Sequence, residues 1–224
     1  MDCADRPPHL PDATRCTGCG ACVDACPHGA LREATDAAGF PYPALDAARC
    51  RDCSACQAVC PVLHAAAPEA ASAPAPAAFI GTCRSHAVLF GSAAGGLFSA
   101  LALRTLRRGG VVLGAAFGED FTLTETLAET PEGIAALRGL KYLQALAQGC
   151  FRAVRERLEA GRPVFACLPP CRAEALVRFL GGSPEGLLLA ETACFGVASP
   201  EAFRAHLRGL PSRETGKALS FRAT

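Results

Sequence analysis

From Phe79 onward, the positions of hydrophobic residues alternate between strand-like and helix-like spacing. Apolar runs predict buried strands at 111–117, 163–168 and 187–191, and an alternating stretch, "FTLTETL", follows the first of them. Helices are predicted at about 96–108, after Pro131, at about 148–159, at 172–180 and after Pro200. Strands that alternate with helices predict an α/β layer, without deciding whether its sheet is purely parallel.

The predicted helix at 148–159 is amphipathic. Its apolar face carries Phe151, Val154 and Leu158. Its polar face places opposite charges at i,i+4 spacing, namely Arg152 with Glu156 and Arg155 with Glu159.

Two cysteine runs precede this region. Residues 15–27, "RCTGCGACVDACP", and residues 50–61, "CRDCSACQAVCP", share the C-x2-C-x2-C-x3-C-P spacing of bacterial ferredoxins. In that arrangement three close thiolates hold one cluster and the fourth reaches across to the other cluster. The spacing therefore predicts two 4Fe-4S clusters. One ligand set is Cys16, Cys19, Cys22 and Cys60, and the other is Cys50, Cys53, Cys56 and Cys26.

A zinc ribbon or a disulfide-stapled loop is the alternative, because paired CxxC motifs serve both purposes. A tetrahedral zinc ion needs only two such pairs, so a repeated run of four cysteines with the same trailing proline favours iron–sulfur clusters. Gly18 and Gly20 would let the backbone approach the inorganic sulfides closely.

The composition narrows the partners and the compartment. The net charge is +1, with basic and acidic residues interspersed, so neither nucleic acid nor acidic lipid is an expected partner. No stretch reaches the ~20 apolar residues of a membrane helix. Residues 1–12 do not resemble a secretory signal. With 14 cysteines, the chain is expected to be cytoplasmic, where thiols stay reduced for metal binding.

A glycine pair, Gly95–Gly96, precedes the first predicted helix of the α/β region. Free amides at a helix N-terminus bind phosphate groups, such as a flavin pyrophosphate. The alternative is an ordinary loop that leads into a buried helix.

The order of motifs resembles the coenzyme F420 (deazaflavin) hydrogenase/dehydrogenase beta-subunit family. The double ferredoxin motif is followed by "AAGGLFSALALRTLRRGGVVLGAAF", "LAETPEGIAALRGLKYLQA", "GRPVFACLPPCRAEAL" and "CFGVASPEAF". The resemblance implies an iron–sulfur flavoprotein in which a bound FAD exchanges electrons with the clusters. It also implies a redox partner protein or a deazaflavin or ferredoxin-type donor, and a place as subunit of a larger complex.

The resemblance also implies site residues. Gly95, Gly96 and Ser99 match the family's glycine-serine loop at the flavin. Lys141 and Tyr142 match its lysine-tyrosine pair, although a solvated charge and a packed aromatic are equally open readings. Cys171 and Cys194 match cysteines of two further motifs and are weak candidates for catalysis.

Several positions depart from the family pattern and remove polar groups from the expected flavin pocket. They are Ala94, Leu140, Leu168, Arg172, Phe195 and Glu125. Two functions therefore stay open: an iron–sulfur flavoprotein oxidoreductase, or a non-catalytic electron-transfer subunit whose degenerate flavin domain serves for docking.

The remaining cysteines allow further readings. Cys3 is expected to be a bystander, and Cys150 and Cys167 to be small buried residues. Cys171 lies at a strand-to-helix turn, where a helix N-terminus would lower its pKa and make it reactive. A third cluster is the alternative, with the ligands Cys83, Cys167, Cys171 and Cys194.

Together these patterns predict a mixed α/β (α+β) fold. A small ferredoxin-like domain with two 4Fe-4S clusters would precede a larger α/β flavin-type domain, expected to be shorter than in the family at its C-terminal end. The predicted boundaries are 1–14 for an N-terminal tail, 15–64 for the ferredoxin-like domain, 65–78 for an alanine- and proline-rich linker, and 79–224 for the α/β domain.

Overall fold

The computed structural model describes residues 7, 9–65, 77–92, 95–147 and 149–209. The predictions for Cys3, for Ala94, for most of the linker and for the last fifteen positions fall outside these residues. No helix within the described ranges is long and apolar enough to cross a membrane.

The cysteine-rich part contains a two-stranded antiparallel sheet and two short helices. Each helix begins inside a cysteine run, so each run consists of a tight loop followed by one helical turn. The elements are α1 (Ala21–Ala25), β1 (Leu31–Thr35), β2 (Pro41–Leu45) and α2 (Ala55–Ala58).

The second part is built around a four-stranded mixed sheet with the order β4-β3-β5-β6. Strands β3, β5 and β6 are parallel, and β4 pairs with β3 in the antiparallel direction. This confirms the mixed α/β prediction and decides the sheet type that the pattern left open. The elements are α3 (His86–Phe90), α4 (Leu97–Arg107), β3 (Val111–Phe117), β4 (Leu123–Ala128), α5 (Pro131–Leu137), α6 (Cys150–Glu159), β5 (Val164–Leu168), α7 (Pro170–Leu180), β6 (Leu187–Glu191) and α8 (Pro200–Gly209).

Helices cover both faces of this sheet because side chains alternate along each buried strand. Val112 and Phe165 pack with α4 and α5 on one face. Val111, Val164 and Ala166 pack with α6 and α7 on the other face. The sheet is therefore the middle layer of a three-layer arrangement.

The cysteine-rich part packs directly against α6 and α7. Cys19, Ala21 and Val59 belong to the same hydrophobic core as the residues of α6 and α7. Directional contacts join the two parts as well. Asp24 Oδ2 accepts a hydrogen bond from the Phe151 amide at 2.9 Å, and Glu33 Oε1 accepts one from the Ala147 amide at 3.1 Å.

The polar face of α6 differs from the predicted arrangement. Arg155 donates to the Phe179 carbonyl, and its guanidinium carbon lies 3.9 Å from the centre of the Phe179 ring. Arg152 lies 3.7 Å from the Asp24 carboxylate. Both arginines thus interact with neighbouring elements rather than with glutamates of their own helix. The apolar residues 88–90 form the end of helix α3.

The contact between Asp24 and α6 gives a first prediction. Asp24 is buried and accepts from an amide in the first turn of α6, so it acts as a cap supplied by another part of the chain. Asp24→Ala is expected to lower the free energy of unfolding by about 0.5–2 kcal/mol, the usual cost of losing a capping acceptor. The measurement is anaerobic denaturant unfolding of the iron-loaded protein, followed by circular dichroism.

Asp24→Asn is the matched control, because the amide oxygen still accepts the hydrogen bond from Phe151. It is expected to retain most of the stability. An alanine variant as stable as the parent protein would show that this cap does not hold the two parts together.

Candidate metal centres

Two cavities in the cysteine-rich part are each lined by four thiols. The first cavity has the thiols of Cys16, Cys19, Cys22 and Cys60. The second has those of Cys26, Cys50, Cys53 and Cys56. Each cavity thus collects three cysteines of one run and the last cysteine of the other run. The two sets have the same members as the predicted ligand sets.

The backbone of the two runs adopts the same local conformation. Gly18 and Gly20 have φ of +62° and +78°, and the equivalent positions Asp52 and Ser54 have φ of +49° and +61°. Left-handed backbone is uncommon for residues other than glycine. The sequence repeat therefore extends to an unusual loop geometry, which Asp52 and Ser54 maintain despite having side chains.

The thiols do not gather as they would around one ion. Among the described residues, no group of three or more His, Cys, Asp or Glu side chains is placed to hold a single metal ion. A zinc ion brings its four ligands to about 2.3 Å from one point, whereas a cubane cluster binds each thiolate at a different corner. The repeated spacing of four cysteines, rather than the placement of the thiols, is what favours a cluster over the zinc alternative.

The first site is buried. Cys19, Cys22 and Cys60 are shielded from solvent. Burial raises the pKa of the Cys19 thiol to about 11 and that of Cys22 well above its ordinary value. A positive metal centre would hold the thiols of Cys19 and Cys22 as thiolates despite their burial.

The second site opens to solvent through the loop at 46–54, and Cys53 is exposed. The Ala30 amide donates to Cys26 Sγ at 3.2 Å. His9 Nε2 lies 3.2 Å from Cys56 Sγ. No sequence signal marked His9, because it is 41 positions before the second run and approaches it only in the fold.

The residues expected at a flavin are engaged within the chain. Gly96 precedes α4, as predicted, with φ of +74°. A Cβ on Gly95 would meet the Gly81 carbonyl oxygen at 2.9 Å, and one on Gly96 would meet Cys83 Cβ at 3.0 Å. The space beside the glycine pair is thus filled by the segment at 81–83. Ser99 is buried, its hydroxyl 3.1 Å from the Ser92 hydroxyl, and accepts from Arg138 Nε at 3.0 Å.

The lysine-tyrosine pair is divided between two environments. Lys141 Nζ donates to the carbonyls of Leu137 and Arg138 at 3.1 and 2.7 Å, at the end of α5. Burial lowers the pKa of Lys141 to about 8. Tyr142 is 55% exposed. In this arrangement the five expected residues do not form a free phosphate cradle.

Cys171 and Cys194 lie beyond the carboxyl ends of the neighbouring parallel strands β5 and β6. Burial raises the pKa of the Cys171 thiol. This direction is opposite to the lowered pKa expected at a helix N-terminus, because desolvation of the thiol is the largest effect. Cys194 is exposed, whereas Cys150 is buried and donates through Sγ to Glu125 at 3.1 Å.

Two departures from the family pattern meet in the interior. Arg172 NH1 lies 2.9 Å from Glu125 Oε2, and both side chains are 2% exposed. Taken one at a time, these positions indicated a loss of polar function. Together they form a buried ion pair that no local sequence pattern marks, since they are 47 positions apart.

One family model matches the cysteine-rich part. The 4Fe-4S dicluster domain family matches residues 15–63, so this part of the chain is a ferredoxin-type 4Fe-4S domain. Its chemistry is iron–sulfur electron transfer. None of the curated proteins matches the chain.

Among solved structures, the chain is similar to one from the xenon-derivatised F420-reducing NiFe hydrogenase complex of Methanosarcina barkeri. The TM-score is 0.47 and the identity 18%, over 57% of this chain and 47% of that chain. The present chain therefore spans about half the length of that relative.

The buried lysine gives a second prediction. Because the pKa of Lys141 falls from 10.5 to about 8 on folding, the folded state binds fewer protons than the unfolded state between these values. Stability then rises with pH in this window. Relative to Lys141→Met, the parent protein is expected to gain stability as the pH rises from about 8 to 10.5. Denaturant unfolding at several pH values measures this difference, and parallel pH profiles would contradict the buried position of the ammonium group.

Proposed function

We propose that the chain is an electron-transfer protein that holds two 4Fe-4S clusters. The first cluster would be bound by Cys16, Cys19, Cys22 and Cys60, and the second by Cys50, Cys53, Cys56 and Cys26. The observation that carries this proposal is the pair of four-thiol cavities, each assembled from both cysteine runs. When bound, such clusters supply centres that accept and release one electron at a time.

The residues around the cavities fit these groups. Four thiols per cavity are the donor set that a 4Fe-4S cluster uses. The Ala30 amide would donate to the Cys26 thiolate, and amide hydrogen bonds to ligand sulfur stabilise its negative charge. At the first site, Gly18 and Gly20 adopt the left-handed backbone conformation of the loop that lines the cavity.

The two sites differ in their access to solvent, and this supports a division of roles. The first site shares a core with α6 and α7, which exclude water from it. The second site has the exposed Cys53 and the exposed loop at 46–54. A redox partner would dock over this loop, because electron transfer between proteins requires a short distance between centres. The partner is a redox protein or a low-potential donor, and the chain would serve as a subunit or a transient carrier.

The α/β part has the role of a support in this proposal. It buries the first site and fixes the loop at 16–19 through Gln144, whose Nε2 donates to the Thr17 and Gly18 carbonyls at 3.1 Å each. FAD and reaction with a deazaflavin are left outside the proposal, because Ser99 and Lys141 already bond within the chain. The cytoplasm is the proposed compartment, because a reducing environment keeps thiolates available as cluster ligands.

Pairs of cysteine substitutions test the crossed ligand sets. Cys16→Ala with Cys60→Ala removes two ligands of the same proposed cluster, so about four of about eight irons should remain. Cys16→Ala with Cys26→Ala removes one ligand from each cluster and should leave almost no iron. Iron analysis and electron paramagnetic resonance of anaerobically purified protein measure both. The reverse pattern would show that each run holds its own cluster.

The visible spectrum tests the functional class. Protein purified anaerobically is expected to show broad iron–sulfur absorption that dithionite bleaches and a one-electron acceptor restores, with no stoichiometric flavin released on denaturation. One flavin per chain would instead support the oxidoreductase hypothesis. Absorption that does not respond to dithionite would argue for clusters with a purely structural role.

A further inference from the structure

A buried ion pair lies beside the first four-thiol site and has no part in holding iron. Arg172 follows the β5–α7 turn and is fully enclosed. Its NH2 donates to the Ala145 carbonyl and, at 3.4 Å, to the Gly18 carbonyl in the loop between Cys16 and Cys19. Its NH1 lies 2.9 Å from Glu125 Oε2.

Burying the charges of Arg172 and Glu125 costs free energy, and the packing of their side chains does not account for their presence in the interior. Taking two charges out of water costs several kcal/mol per ion, and an apolar pair of similar size is often as stable. An arginine cannot relieve the cost by losing its proton. Glu125 compensates the charge, while the guanidinium extends past Glu125 to the cysteine loop.

The cation of this pair, rather than the carboxylate, contacts the first site. The guanidinium contacts the loop of Cys16 and Cys19, whereas Glu125 is on its far side and accepts from Cys150. Reduction of a cluster by one electron adds a negative charge without forming or breaking a bond. A cation nearby stabilises that added charge, and the low dielectric of the interior strengthens the effect.

We propose that Arg172 is a positioning residue that orders the Cys16–Cys19 loop and raises the reduction potential of the first site, with Glu125 limiting the increase. The proposal rests on the proposed function, since it requires a cluster at this site.

Two substitutions with opposite expected signs test this. Glu125→Gln keeps the shape of the side chain and leaves Arg172 uncompensated, so the potential of the first cluster should shift upward. Arg172→Gln removes the nearer charge, so the potential should shift downward. Redox titration with dithionite, followed by electron paramagnetic resonance, measures both clusters, and the Cys16→Ala variant identifies the signal of the first. The second cluster serves as internal reference.

Glu129→Gln is the matched control, because Glu129 pairs with Arg157 and Arg162 at the surface and is 40% exposed. It should leave both potentials unchanged. Shifts of the same sign in Glu125→Gln and Arg172→Gln, or no shift in either, would overturn the proposal, because a purely structural pair has no reason to move the potential in opposite directions.

If Arg172→Gln fails to load iron, Glu125→Gln decides alone: an upward shift supports the proposal, and a downward or absent shift overturns it. Failure of the proposed function is distinguishable, because it would appear in the parent protein as the absence of two reducible clusters.

Discussion

The burial of the first cysteine loop against α6 and α7 is the contact on which the rest of the structure depends. Cys19 and Ala21 belong to the core that those helices form with the sheet. The Asp24 carboxylate caps α6, and Gln144 and Arg172 bind carbonyls of the same loop. The cysteine-rich part is therefore held by apolar packing and by directional bonds together. This contact also makes the two four-thiol sites unequal, because it shields one and leaves the other open.

Much of the fold follows from local patterns in the sequence. The strands β3 and β6 have the predicted bounds, since apolar runs flanked by glycine or charge define them without help from distant residues. The membership of the two cavities likewise agrees with the spacing of the cysteines. The interactions of Arg152 and Arg155 could not be predicted from the sequence, because their partners belong to other elements. Propensity along one helix carries no information about a carbonyl or ring that approaches from outside.

The candidate cofactor residues show a related limit. The Ser99 hydroxyl could bind a phosphate, but it already makes hydrogen bonds with Ser92 and Arg138. Glu125 and Arg172 each read as a lost polar function when taken singly, yet they form one buried pair. The role of a residue that departs from the family pattern can be understood only together with the residue that it contacts in the fold. Burial acts in the same way at Cys171, where it opposes the helix N-terminus.

The left-handed loops of the two cysteine runs show why only the first run has a glycine at position 20. Ser54 holds the same conformation as Gly20, so that conformation alone does not demand glycine. A Cβ on Gly20, however, would lie 2.4 Å from the Ala147 Cβ. Gly20 therefore lacks a side chain because the α/β part packs closely against this position. The second run accommodates a serine at the equivalent position, so the glycine of the first run records which half of the repeat faces inward.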